Sequence, residues 1–240
     1  MEIIKLFCLP YAGGSATVYS RWKNYIDQNI EVIPLELAGR GKKFSKPLNN
    51  SIEDEVNNIF EEIAGHIKNY PYAFFGHSMG TLIIHQLIGK IISHNLRMPV
   101  HSFMSGRFPP HIKGKEVYHT LPDNEFRKAI LCLGGTPKVV ADNEELFNLF
   151  LPILKSDYKM VEQYEFKQEP RKWCFDISVF YGSNDNLAQY NDIEEWSFYT
   201  EKSCDFYKFE GNHFFIHEHE KKIVSTISQI LNNKKQVLCT

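Results

Sequence analysis

Residues Gly76-His77-Ser78-Met79-Gly80 directly follow the apolar run Tyr72-Ala73-Phe74-Phe75 and lead into Thr81-Leu82-Ile83-Ile84-His85-Gln86-Leu87. A serine between two small residues, at a sharp turn from strand into helix, has its hydroxyl pushed out above the sheet edge. The first amides of the helix point back at that oxygen and favour negative charge there. The chemistry implied is nucleophilic attack by Ser78. The alternative, a serine that merely caps a buried helix, does not explain the glycines on both sides.

Serine is a weak nucleophile without a base and an acid that orients the base. Where this turn is used, the chain order is Ser, then Asp or Glu, then His. Downstream, the β-branched and aromatic run Asp176-Ile177-Ser178-Val179-Phe180-Tyr181 ends at Gly182-Ser183-Asn184-Asp185. The run Asp205-Phe206-Tyr207-Lys208-Phe209 ends at Glu210-Gly211-Asn212-His213. Both polar residues fall just past the carboxyl ends of strands, where open parallel sheets gather their ligand sites. The catalytic set read here is Ser78 nucleophile, Asp185 acid and His213 base. Asp192 is the nearest rival acid, but it falls inside an expected helix, 191–198. His217 and His219 fall in the polar start of the last helix and read as solvated. A metal site built on His213, His217 and His219 lacks the Cys or carboxylate cluster to complete it. His77 reads as a packing or hydrogen-bonding residue beside the serine.

Acyl transfer also needs donors aimed where the oxyanion forms. One is the amide of Met79, the residue after the nucleophile. The other comes from an early strand-to-helix loop, here Pro10-Tyr11-Ala12-Gly13-Gly14-Ser15, with the Ala12 amide as donor. Gly13-Gly14 does not complete the G-x-x-x-x-G-K-[ST] phosphate cradle.

These residues need a parallel sheet to bring them together. Strand signals at 4–9, 32–35, 72–75, 100–104, 176–181 and 205–209 alternate with helix signals, beginning near 16–27 and including one opened by the capping box Ser51-Ile52-Glu53-Asp54. Such alternation implies right-handed crossovers and a doubly wound, mostly parallel α/β sheet of the α/β-hydrolase type. Between Pro109 and Pro170 the pattern changes to consecutive helices, at 123–132, 143–154 and 159–166. In a hydrolase, such an insertion is expected to cover the active site as a lid. The chain of 240 residues, 43% hydrophobic, reads as one domain, 1–240, with the lid, 109–170, inserted.

The composition excludes several classes. A formal charge of −2, from 27 basic and 29 acidic side chains, leaves no nucleic-acid footprint. No apolar run approaches the roughly 20 residues of a membrane span, and Met1-Glu2-Ile3-Ile4-Lys5 lacks the order of a secretion signal. The five cysteines, odd in number and without a C-x-x-C spacing, read as reduced thiols and mostly packing residues. The expectation is a cytoplasmic monomer without metal or cofactor.

The chain resembles the type II thioesterases, the free-standing editing hydrolases of nonribosomal peptide and polyketide synthetases. The resemblance runs almost end to end. It rests on Leu9-Pro10-Tyr11-Ala12-Gly13-Gly14-Ser15-Ala16, Gly39-Arg40-Gly41, the turn at 76–80, Ser105-Gly106-Arg107, Leu121-Pro122-Asp123, Leu133-Gly134-Gly135-Thr136-Pro137 and the Asp185 and His213 loops. It implies hydrolysis of acyl thioesters held on the phosphopantetheine arm of carrier domains, which would be the partners. In the similar chain-terminal thioesterases the acid commonly follows the strand after the nucleophile helix. Here that loop, Ser105-Gly106-Arg107-Phe108-Pro109-Pro110-His111, carries no carboxylate, which places the acid later, at Asp185. Asn212 stands where the family often has glycine, so its role is open.

A small-molecule esterase or lactonase of the same fold and a catalytically silent carrier-binding module are the competing functions. Phe108, Phe126, Ile130, Leu131, Phe147, Phe150 and Leu151 are candidates to line an acyl path, although helical spacing favours plain core for them. Arg40, Lys42, Lys43 and Lys46 follow one strand end, and Arg107, Lys113 and Lys115 another. They are read as solvated faces, with carrier docking as the functional alternative.

Overall fold

The computed structural model of the protein describes residues 3–167 and 172–238. Six strands form one sheet: β1 (Ile4–Leu9), β2 (Ile30–Pro34), β3 (Tyr72–His77), β4 (His101–Ser105), β5 (Asp176–Gly182) and β6 (Cys204–Phe209). Their order is β2-β1-β3-β4-β5-β6, and every pairing is parallel. The chain runs outward from β1 to β2, then returns to place β3 on the other side of β1. That reversal makes the β1/β3 boundary a topological switch point, where the loops leaving two adjacent strands diverge and open a crevice. The Ala12 loop leaves β1 and the Ser78 turn leaves β3, so topology alone brings them together.

Strand side chains alternate between two cores. Phe7, Leu9, Phe74, Ile177 and Val179 face one side. Helices α1 (Ile52–Asn69) and α2 (Met79–Ser93) cover it. Ile4, Leu6, Cys8, Phe75, Phe103 and Phe180 face the other. There α8 (Glu220–Leu238) packs through Ile223, Val224, Ile227 and Leu231. Helix α1 begins as its sequence requires: the Ser51 hydroxyl accepts from the Asp54 amide at 3.1 Å and donates to the Asp54 carboxylate at 2.8 Å.

The helical excursion contains α3 (Asp123–Leu133), α4 (Lys138–Ala141) and α5 (Glu144–Glu162), followed after β5 by α6 (Tyr190–Ile193) and, after β6, α7 (Phe215–Glu218). Phe126, Ile130, Phe147 and Leu154 make a small core of their own between these helices. Three local expectations are corrected. The separate helices at 143–154 and 159–166 are a single helix, α5, ending at Glu162. The helix near 16–27 is two short 3-10 segments, Ala16–Tyr19 and Trp22–Asn24. The helix at 191–198 is a turn of α6 running into a 3-10 segment, Glu194–Tyr199. Pro170, the expected end of the insertion, lies outside the described residues. Among the described residues, no helix is long and apolar enough to cross a membrane. Of the cysteines, Cys8 is buried, whereas Cys132 and Cys174 are exposed rather than packed.

The close passage of α2 under β1 sets a sharp test. A Cβ on Gly80 would collide with the Leu9 carbonyl oxygen, whereas one on Gly65, inside α1, would meet nothing within 4 Å. Gly80→Ala should cost about 1–3 kcal/mol through forced backbone displacement, and Gly65→Ala should add about 0.5–1 kcal/mol through helix propensity. Denaturant unfolding of the two variants should therefore move in opposite directions.

Candidate active site

Ser78 has φ 52° and ψ −112°, a conformation that only a tightly packed surrounding maintains in a non-glycine residue. The packing is visible around it. The Ser78 amide donates to the Ser105 carbonyl at 2.8 Å, one bond beyond the end of the β3–β4 ladder. Gly76 and Gly80 pack so closely that a Cβ on either would strike backbone. Met79 then begins α2 as its first residue. Among the described residues neither the Met79 nor the Ala12 amide donates to a protein group. Both residues line the same cavity as Ser78.

Asp185 and His213 meet because β5 and β6 are neighbours. The loops that carry them are stitched together: Ser183 and Asn184 amides donate to the Phe209 and Gly211 carbonyls at 2.8 and 2.9 Å. His213 Nδ1 lies 2.8 Å from Asp185 Oδ2, and both residues are buried. The other carboxylate oxygen, Oδ1, accepts from the Leu187 and Ala188 amides at 2.9 and 3.2 Å. A carboxylate only accepts, so Nδ1 donates to it, the tautomer in which Nε2 is the ring nitrogen left to act as a base. Asn212 acquires a role that its position in sequence left open. Its Oδ1 accepts from the Phe214 amide at 2.9 Å and its carbonyl from the Phe215 amide at 3.2 Å, turning the chain into α7 immediately after His213.

His77 lies beneath this arrangement and is fully buried. Its Nε2 is 2.9 Å from the His213 carbonyl and its Nδ1 2.8 Å from Ser105 Oγ. The carbonyl can only accept, so Nε2 donates, and Nδ1 receives the Ser105 hydroxyl proton. Burial, reinforced by the nearby His213 ring, holds the His77 pKa well below the ordinary histidine value, so the ring stays neutral. A Cβ on Gly106 would sit 2.6 Å from His77 Cε1, which excludes a side chain at that position. His217 and His219 are not simply solvated: His217 Nε2 is 3.0 Å from the Tyr11 hydroxyl, and His219 Nε2 donates to the Glu210 carbonyl at 2.8 Å. Among the described residues no group of three or more His, Cys, Asp or Glu is arranged to hold a metal ion.

The loop bearing Ala12 is fixed by residues that local pattern does not reveal. Asp157, on α5, is completely buried and receives both Nη atoms of Arg40 at 2.6 and 2.7 Å. The same carboxylate accepts from the Gly13 amide at 2.7 Å, and Arg40 also donates to the Gly14 carbonyl at 3.0 Å. Burial opposes the Arg40 charge, but the Asp157 hydrogen bonds and charge, aided by Glu55 and Glu36, outweigh it and raise its pKa. Removing one partner of such a pair costs about 3–5 kcal/mol because the other charge is left buried. Arg40 is thus no part of a solvated basic face, although Lys42 beside it is exposed.

The cavity above Ser78 has a volume of about 760 Å³. Its wall includes His213 and Phe214, the segment from Gly106 to Tyr118, and Tyr158 and Val161 of α5. Of the aromatic and aliphatic residues considered for an acyl path, Phe108 lines it, whereas Phe126, Ile130 and Phe147 belong to the inter-helix core.

A parallel sheet with a strained serine after β3 and a carboxylate–histidine pair after β5 and β6 defines the α/β-hydrolase class. The chain belongs to the thioesterase-domain family, whose profile matches residues 4–231, and is a hydrolase of thioesters. The gramicidin S biosynthesis protein GrsT of Aneurinibacillus migulanus is 36% identical over 223 residues, covering 92% of this chain and 86% of that protein. The medium-chain S-acyl fatty acid synthase thioesterase of Rattus norvegicus is 31% identical over 219 residues, covering 89% of this chain and 82% of that protein. Among solved structures, ClbQ from the colibactin nonribosomal peptide and polyketide pathway superposes with a TM-score of 0.94 at 36% identity, covering 98% of this chain and all of that one.

Three buried histidines set the acid limit of the fold. His77 lies well below its ordinary value, and burial pushes His85 and His101 down to about 3. Below the ordinary value of 6.5 the unfolded chain binds protons at these positions and the folded chain does not, so stability is full above that pH and is lost below it. Each histidine contributes a slope approaching about 1.4 kcal/mol per pH unit. Unfolding free energy measured from pH 7 to pH 5 should fall steeply, and a flat profile would contradict neutral burial.

Proposed function

We propose that this thioesterase is an editing enzyme of a nonribosomal peptide or polyketide synthetase, hydrolysing acyl groups from the phosphopantetheine arm of carrier domains through an acyl-enzyme on Ser78. The observation that carries the mechanism is that His213, hydrogen-bonded to Asp185, lines the same cavity as the strained Ser78. His213 Nε2 takes the Ser78 proton as Oγ attacks the thioester carbonyl. The Ala12 and Met79 amides then hold the oxyanion of the tetrahedral intermediate. On collapse the C–S bond breaks, and the thiol leaves with the proton held by His213. Its pKa of roughly 8.5 makes it a far better leaving group than an amine. Water, deprotonated by the same His213, releases the acid and restores Ser78.

All steps are proton and acyl transfers, so the enzyme works without a cofactor of its own. The biosynthetic names borne by GrsT and ClbQ support a synthetase as the partner. The segment 109–170 acts as a lid, a role supported by Tyr158 and Val161 reaching the cavity from α5. Exposed Lys113 and Lys115 at the cavity rim suit an acidic carrier surface. The protein works as a cytoplasmic monomer, beside its synthetase.

Hydrolysis of acyl-loaded carrier domains should exceed that of matched alkyl esters. Ser78→Ala should lower carrier deacylation by about 10³-fold or more. Asp185→Asn should lower it by about 10³ to 10⁴ by leaving His213 in the wrong tautomer. A preference for alkyl esters would replace the carrier reading with an esterase, and an active Asp185→Asn would move the acid elsewhere.

A further inference from the structure

Arg107 follows β4 by two residues, next to the strand that delivers Ser78, and lines the same cavity. Unlike the exposed Lys113 and Lys115 it is half-buried, its guanidinium 5.1 Å from the Phe108 ring centre. Among the described residues nothing accepts from it. Its Nε is fully occluded and has no partner among the described residues. Burial pushes its pKa down to about 10, and the ionisable group acting on it electrostatically is the Tyr164 hydroxyl. Of the acids that line the cavity, Glu162 binds His119 and accepts from the Tyr118 amide at 2.9 Å, and Glu165 lies 3.6 Å from Lys167; Glu116 and Asp192 also line it, and neither is paired with Arg107. Among the described residues the guanidinium has no bound counter-charge, a costly state for a charge removed from water, and the cavity it lines is open to a ligand that supplies one.

Tyr164 lines that cavity as well. Its oxygen accepts from Gln86 Nε2, which leaves its own proton to donate. A forked cation and a free hydroxyl proton together match the two oxygens of a carboxylate.

We propose that Arg107 and Tyr164 form a carboxylate-binding subsite in the acyl cavity, so that the favoured acyl groups are dicarboxylic acids joined to the thiol through one end. The pairing rests on Ser78 being the acyl acceptor, and it assigns Arg107 to substrate selection rather than to the chemical step. The guanidinium stays charged through the whole neutral range, so the preference does not depend on pH there.

Ser78→Ala protein keeps thioesters intact and lets binding be read without turnover. Calorimetry would compare succinyl-, glutaryl- and adipyl-pantetheine with butanoyl-, pentanoyl- and hexanoyl-pantetheine. At the length that fits, the carboxylate compound should bind at least tenfold more tightly, since hydrogen bonds to charged groups are the strong ones. Adding Arg107→Met, which fills a similar volume without charge, should abolish that ratio, and Arg107→Lys should retain part of it. Equal affinities at all three lengths, or a ratio that survives Arg107→Met, would overturn the subsite. Turnover of whichever of the six pantetheine thioesters binds most tightly is read separately with the unaltered enzyme. Its absence would overturn the thioesterase mechanism while the binding ratio still decides the role of Arg107.

Discussion

The backbone of Ser78 is the constraint on which the rest of the site depends. A serine at positive φ is unfavourable in isolation, by about 1–3 kcal/mol, and it is held here from three directions. The β3–β4 ladder continues one bond past the strands to fix the Ser78 amide, α2 starts immediately after it, and Gly80 lies against the backbone of β1. Because β1 and β3 are adjacent, the same arrangement that strains Ser78 also brings the Ala12 loop alongside it. The Ala12 and Met79 amides proposed as oxyanion donors would therefore be set by the sheet before any substrate arrives, which is the condition for backbone dipoles to stabilise developing charge without reorganisation.

Two buried polar devices hold the remaining parts to that centre. On one side, neutral His77 bridges Ser105 and the His213 carbonyl, tying the β6 loop to the ends of β3 and β4. On the other, the Arg40–Asp157 pair reaches from α5 to Gly13 and Gly14, so the helix that walls the cavity and the loop that presents Ala12 share one anchor. Both devices are fully satisfied by hydrogen bonds, as buried polar groups must be to stabilise rather than loosen a fold. The asymmetry is informative: Arg40 has its carboxylate within the protein, and the half-buried Arg107 beside the cavity has none among the described residues.

The strand–turn–helix at Ser78 and the two loops ending in Asp185 and His213 were legible in the sequence because each is a local signal placed by strand order. Less legible were features whose cause is a distant partner. Lys155-Ser156-Asp157-Tyr158 reads as a polar break between two helices, yet α5 runs through it because Asp157 meets Arg40 and Ser156 Oγ donates to the Asn49 carbonyl at 3.0 Å. Arg40 and Arg107 sit in basic stretches that resemble solvated faces, and only tertiary packing separates them from the exposed lysines beside them. The segment 16–27 has enough apolar residues for a helix, but Tyr19 and Trp22 are drawn into the core against Phe75, which fits short 3-10 turns better than a continuous helix.

The central claim, that Ser78 carries the acyl group between thioester and water, is tested most directly by intact-protein mass spectrometry during rapid-quench hydrolysis of a slowly turned-over acyl-pantetheine. The account predicts a transient mass increase equal to one acyl group, located on the peptide containing Ser78, formed and discharged at rates that account for steady-state turnover. Turnover with no acylated species at any quench time, in an enzyme whose Ser78→Ala variant remains active, would contradict it.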